Sequence, residues 1–212
     1  MDLRSEGRQY ESERLLEKDA PDAPLELFSL WLGEALDARL LDATAMVIAT
    51  ANGEGRPNAR VVLLKGQDSS GFVFFTRYST QKSVELAENP RATLLFHWRE
   101  LDRQVRIDAT VSRIPHSESE AYFATRPRGS QLAARAASGL GRVSLDDPLE
   151  QRFEREDLTF VGREVPMPED WGGYRAVPRA IEFWQGRPNR LHDRLVYELE
   201  PAGTWCRYRL AP

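Results

Sequence analysis

The chain has 212 residues, 41% of them hydrophobic and 29% charged, with a formal net charge of −4. That size suits one domain with a terminal extension, and the weak acidity argues against a general nucleic-acid binder. A lone cysteine, Cys206, excludes a disulfide framework and a thiolate metal centre.

Met1 to Ala23 is charged and weakly patterned, and reads as a mobile N-terminal arm ahead of one domain over 24–212. Its polar start carries no secretory signal, so a soluble cytoplasmic protein is expected. Pro24 opens a helix whose apolar face runs through Leu25, Phe28, Leu32, Leu36 and Leu40, widened by Trp31 and Ala35. From Thr44 the period changes to that of strands. Ala45–Ala51 and Ala59–Lys65 flank the turn Asn52-Gly53-Glu54-Gly55, and Phe72–Thr76 follows a second turn. The apolar runs here are far too short to span a bilayer. Ser79–Glu88 reads as a helix stopped by Asn89-Pro90, with strands at Ala92–Trp98 and Gln104–Val111. Helices are expected at Ser117–Thr125 and Ser130–Ala137, and an irregular acidic stretch from Ser138 to Pro168. Ala180–Trp184, Arg194–Leu199 and Trp205–Leu210 close the chain as strands. Short strands joined by tight turns argue for an antiparallel barrel or sandwich.

Four groups of residues have chemistry to offer. Arg60 and Lys65 bracket a strand. Phe75 and Thr76 end a strand just before Thr80, Gln81 and Lys82 start a helix, where free backbone donors favour an anion. Tyr122 and Arg126 stand four apart on one helical face, with Ser130 beyond Pro127; a phenol, a guanidinium and a hydroxyl together suit a phosphomonoester. Arg190, His192 and Arg194 recur at spacing two, which in a strand would make a cationic row on one face. The only lysines are Lys18, Lys65 and Lys82 in an otherwise arginine-based chain, and two of them fall in these groups.

Phe183-Trp184-Gln185-Gly186 followed by Arg190-Leu191-His192-Asp193-Arg194 resembles the C-terminal signature of the pyridoxamine 5′-phosphate oxidase family. The resemblance extends from about Pro24 to Pro212. It implies a mainly β fold with peripheral helices, the FMN-binding split barrel (an antiparallel Greek-key barrel), homodimeric with flavin at the subunit interface. It also implies oxidation of a phosphorylated B6 vitamer by O2 in vitamin B6 salvage, with no nucleic acid or membrane partner. By the same resemblance Arg60, Val61, Leu63, Lys65, Phe75, Thr76, Gln81, Lys82, Gln104, Trp184 and Arg194 contact FMN. Lys65, Tyr122, Arg126 and Ser130 hold the substrate phosphate, Arg190 and His192 face the reacting carbon, and Tyr10 covers it as part of a lid. The chain departs from the family at Gln81, where a cation is usual, and at Gly139 and Leu140, where a flavin-contacting Gln-Ser pair is usual. Gly7 stands where the lid carries an arginine, with Arg8 as its stand-in. Gln81 is compatible with a related flavin oxidase acting on another reduced ring, such as a phenazine precursor. A non-catalytic FMN- or pyridoxal-phosphate-binding protein on the same fold is the remaining alternative.

Overall fold

A computed structural model describes residues 9–12, 14–141 and 148–212; Arg8 and Gly7 lie outside them. Helix α1 (Pro24–Asp37) starts where the missing N–H of proline costs nothing. Its buried residues include Leu27, Phe28, Trp31 and Ala35; of the expected row Leu25, Leu32 and Leu40 are only partly buried against the core and Leu36 is not. Leu36 is 53% exposed, and the left-handed turn at Arg39 has ended the helix before Leu40. The face centres on its two aromatic rings, Phe28 and Trp31, because they bury the most area, and this turns Leu36 outward. Phe28 packs at 4.8 Å on Phe72 and 5.0 Å on Phe96, and Trp31 at 5.2 Å on Phe183.

The strands are β1 (Ala45–Ala51), β2 (Pro57–Leu63), β3 (Gly66–Asp68), β4 (Gly71–Arg77), β5 (Arg91–Trp98), β6 (Arg103–Arg113), β7 (Trp171–Gln185), β8 (Asp193–Leu199) and β9 (Trp205–Arg209). Helix α2 (Gln81–Glu88) links β4 to β5. Helices α3 (His116–Thr125), α4 (Arg128–Ala136) and α5 (Leu149–Thr159) lie between β6 and β7. Every pairing is antiparallel, in the order β2-β1-β5-β6-β7-β4-β3, with β8 on β7 and β9 on β8. The mainly β, antiparallel architecture is the one expected.

Several further elements differ from the sequence expectation, the short β3 among them. β2 begins two residues early, so Leu64 and Lys65 fall beyond it, one buried and the other exposed. Helix α5 occupies part of the stretch read as irregular; it buries none of its residues, so it leaves no apolar stripe to detect. β7 starts at Trp171 rather than Ala180. Its first half pairs with β4 (Phe72↔Ala176 to Arg77↔Trp171) and its second half with β8 (Ala180↔Glu198 to Gln185↔Asp193). The change of partner coincides with a bulge opposite Asp108 and Ala109, next to Pro178, which has no N–H to give to a ladder.

The described part of the segment before Pro24 lies against β8 and β9. Leu15 N–H donates to Asp193 (3.0 Å), Tyr197 to Pro21 O (2.7 Å) and Arg207 to Ala20 O (2.9 Å); Arg209 bonds Leu15 O and Glu17. Phe28 has no solvent exposure. Phe28→Ala is expected to cost about 3–5 kcal/mol of stability, as read by chemical denaturation.

Candidate active site

Two groups of site residues form, one at each end of β7. At the first end, Thr76 closes β4 and Thr80 precedes α2. The first-turn N–H groups of Gln81 and Lys82 have no acceptor within their own helix. The Lys82 ammonium donates to Thr76 Oγ1 (2.9 Å) and Thr80 Oγ1 (3.2 Å). Burial pushes Lys82 below its usual value, and the nearby charges of Arg60 and Arg77 push it further. Arg60 leans on Thr50 Oγ1 (2.6 Å) and lies 3.5 Å from the buried Glu85 carboxylate. Burial raises Glu85, but hydrogen bonds from Thr50 and Asn58, the Arg60 charge and a bond from Gln81 hold its carboxyl below the ordinary range. Gln81 therefore braces Glu85. Arg77, which sequence reasoning passed over, donates to Ala137 O and to Leu140 O (3.0 Å). Asp170 accepts from Ser138 Oγ (2.6 Å), Gly139 N (3.0 Å) and Ser79 Oγ (2.8 Å), so Gly139 and Leu140 are fixed beside α2 of their own chain.

Phe75, one residue back along β4, turns to the neighbouring cradle. Its ring stacks on Tyr122 with centroids 3.9 Å apart, and Gly173 passes under it where a Cβ would meet Phe75 Cε1 at 2.8 Å. Arg126 lies just past the end of α3 in extended backbone rather than on the helix, yet its charge still acts on the Tyr122 phenol. Burial raises Tyr122 and lowers Arg126. Arg126 Nη1 is buried without a hydrogen-bond acceptor among the described residues. Ser130 sits in the first turn of α4. Lys65 is exposed, and its backbone N–H donates to Val73 O, two residues or about 7 Å along β4 from Phe75. Val61 (64% exposed) and Leu63 (41%) present apolar side chains on β2, an edge strand with no buried residue.

The second group gathers at the other end of β7. Trp184 pairs with Gln104 on β6 and with Arg194 on β8. The His192 ring lies 4.6 Å from Trp184 and 5.1 Å from Tyr10, which also meets Trp184 edge-on at 5.6 Å. Gly186 makes room for Tyr10: a Cβ there would stand 2.5 Å from Tyr10 Cδ1. Arg190, His192 and Arg194 do not form the expected row. Pro188–Arg190 is a 3-10 turn in which Asn189 and Arg190 take φ of 57° and 60°, and β8 begins only at Asp193. Arg190 is exposed, whereas Arg194 donates to the buried Glu182 (2.6 Å) and to Ala211 O (2.9 Å). Glu182 also accepts from Arg106 at 2.9 Å. Sequence reading missed Glu182 and Asp193; the latter holds Arg187 (3.2 Å) and Arg209 (2.9 Å).

The Arg187 N–H donates to His192 Nδ1 (3.1 Å), which leaves the ring proton on Nε2. Burial, then the Arg190 charge, lowers His192 from its ordinary 6.5. The neutral form is thus favoured in the folded state. Its contribution to stability is complete above about pH 6.5 and is lost as pH falls through the lowered value. Arg190→Ala is expected to move the His192 titration, followed by proton NMR, back upward.

Thirteen residue steps along β7 separate Trp171, beside the first group, from Trp184 in the second, about 40 Å of strand. Within one chain the groups stay apart.

The sequence matches two family models, pyridoxamine 5′-phosphate oxidase over residues 32–161 and the pyridoxine 5′-phosphate oxidase C-terminal dimerisation region over residues 171–212. It is 52% identical over 211 residues to a pyridoxine/pyridoxamine 5′-phosphate oxidase of Rubrobacter xylanophilus, covering 100% of this chain and 97% of that one. Identity to the Cupriavidus necator protein of the same name is 49% over 205 residues, covering 97% and 96%. Among solved structures, PhzG from Burkholderia lata in complex with tetrahydrophenazine-1-carboxylic acid is similar at a TM-score of 0.88 and 29% identity, covering 94% and 98%. A pyridoxamine 5′-phosphate oxidase-related, FMN binding protein from Nostoc punctiforme shares the fold (TM-score 0.73, 15% identity, covering 90% and 98%). With these matches over nearly its whole length, the chain belongs to the pyridoxamine 5′-phosphate oxidase family.

Proposed function

We propose that this protein is an FMN-dependent oxidase that converts pyridoxine or pyridoxamine 5′-phosphate to pyridoxal 5′-phosphate with O2 as acceptor. The observation that carries this reading is a pair of adjacent anion cradles at the end of β4. Thr76 opens one, with Lys82 and Arg60, and Phe75 opens the other, with Tyr122 and Arg126. Two cradles suit two phosphates, one on the cofactor and one on the substrate. Relatives about 50% identical over the full length carry the name of this activity.

The residues present fit FMN. Lys82 is half-buried among cations and bonded to hydroxyls, a donor set that an anion would complete. Lys82, Thr76, Arg60 and the first-turn N–H groups of α2 would hold the flavin phosphate. Val61 and Leu63 offer an apolar edge to the ring, and Gln104, Trp184 and Arg194 complete the contacts. When bound, FMN supplies the two-electron acceptor that O2 regenerates, with hydrogen peroxide as by-product.

Tyr122, Arg126, Ser130 and Lys65 would bind the substrate phosphate. His192 presents a neutral Nε2–H, held by the Arg187 amide, and exposed Arg190 beside it orients the substrate carbon for transfer. Tyr10 covers Trp184 and His192 and excludes water. Because the two groups lie at opposite ends of β7, each complete site draws its Trp184 and His192 from a second copy. The match to a dimerisation region over residues 171–212 supports that arrangement. We place the protein in the cytoplasm; no helix among the described residues is long and apolar enough to cross a membrane.

Gln81, engaged with Glu85, and the likeness to PhzG favour a second reading, oxidation of another reduced ring. The Tyr122–Arg126 cradle argues for the phosphorylated substrate. An absorbance spectrum, then oxygen uptake with pyridoxine 5′-phosphate and with pyridoxine, separates the two. Flavin absorbance with uptake much faster on the phosphate ester than on pyridoxine is expected, and equal uptake on both would overturn the substrate assignment. Lys82→Ala should weaken FMN binding at least about tenfold in a fluorescence titration. Arg190→Ala should lower turnover about a hundredfold while the purified protein keeps its flavin; an equal loss of both would refute the role given to Arg190.

A further inference from the structure

Trp171, the first residue of β7, is 5% exposed and lies under the cradle that Tyr122 and Arg126 form. Its ring is parallel to Phe75 (5.4 Å, 11°) and to Tyr122 (6.2 Å, 8°), so the three make a layered stack. The Arg126 guanidinium carbon sits 4.8 Å above the same indole. Arg126 follows α3 in extended backbone, so no helix fixes its direction. Its Nη1 is buried and lacks an acceptor among the described residues. A buried guanidinium with an unused donor is costly unless an anion arrives, and a flat aromatic face is the support that costs it least hydration. Phe123 closes the other side, its ring 5.0 Å from Trp171 and 5.4 Å from Arg126.

We propose that Trp171 is a positioning residue for phosphate specificity: its indole face orients Arg126, and its stack with Phe75 orients Tyr122, so that both donors converge on a phosphomonoester. The proposal deepens the substrate assignment above and rests on it. The backbone reinforces the arrangement. Trp171 pairs with Arg77 at the end of β4, and the preceding residue, Asp170, ties Ser79 to Ser138 and Gly139. The corner 170–171 thus sets the spacing between the cofactor cradle and the substrate cradle.

The test compares wild type, Trp171→Phe and Trp171→Leu as flavin-loaded enzymes on pyridoxine 5′-phosphate and on unphosphorylated pyridoxine. Loss of the indole face should raise KM for the phosphate ester about tenfold in Trp171→Leu, with a smaller rise in Trp171→Phe. In both variants kcat, flavin content and kcat/KM on pyridoxine should hold. Trp171→Phe, which keeps a ring in the buried slot, carries the test if Trp171→Leu fails to retain flavin. Equal losses on both substrates would reduce Trp171 to a structural residue and overturn the proposal, as would an unchanged preference for the ester. A wild type with no preference for the ester would instead overturn the substrate assignment, and the proposal with it.

Discussion

β7 is 15 residues long and has β6 along one side for most of its length, but no single strand accompanies it on the other. The bulge beside Pro178 interrupts the ladder, and from there the strand exchanges β4 for β8. Both groups of site residues depend on that exchange. The β4 side brings Thr76, Phe75 and Arg77 to Trp171, while the β8 side brings Arg194 and His192 to Trp184. A regular strand paired to one neighbour would supply only one of these ends.

The electrostatics follow the same division. At the β4 end, Arg60, Arg77 and Lys82 share a small space, where burial and then the two guanidinium charges depress the lysine, with Glu85 as the buried counter-charge. At the β8 end the arginines are largely matched: Arg194 and Arg106 by Glu182, Arg187 and Arg209 by Asp193. One end thus carries a net demand for an anion. The other is a braced scaffold that leaves Arg190 in solvent and the His192 ring uncharged. A phosphate-bearing cofactor and an imidazole kept as a neutral donor need these two environments, and they are hard to combine on one strand end.

The departures from the family pattern acquire physical content in the fold. Gln81 bonds Glu85 and so supports Arg60 indirectly. Gly139 and Leu140 offer no side-chain amide, yet Asp170 and Arg77 hold their backbone beside the start of α2. Arg77 adds a cation to the same cluster that Gln81 leaves without one.

By itself the sequence determined the mainly β architecture and most strand positions, and it nominated the side chains proposed for the site. Alternation, turn residues and local motifs are short-range signals, and most of the nominated residues lie in such a motif. The buried face of α1 was legible through Phe28, Trp31 and Ala35, but its centre was not: packing on Phe72, Phe96 and Phe183 turned it toward Leu27 and left Leu36 in solvent. Helix α5 was hidden because it buries nothing, and the first half of β7 because Gly172, Gly173 and Pro178 read as breakers. Arg190, His192 and Arg194 suggested a row that the positive-φ turn at Asn189 and Arg190 dissolves. Trp171, Asp170, Glu85 and Glu182 gain their roles mainly from partners distant in the chain or across a strand pair, such as Thr50 for Glu85 and Arg106 for Glu182. Tertiary structure alone decided those roles, since hydrogen bonds and ring stacks depend on distance in space.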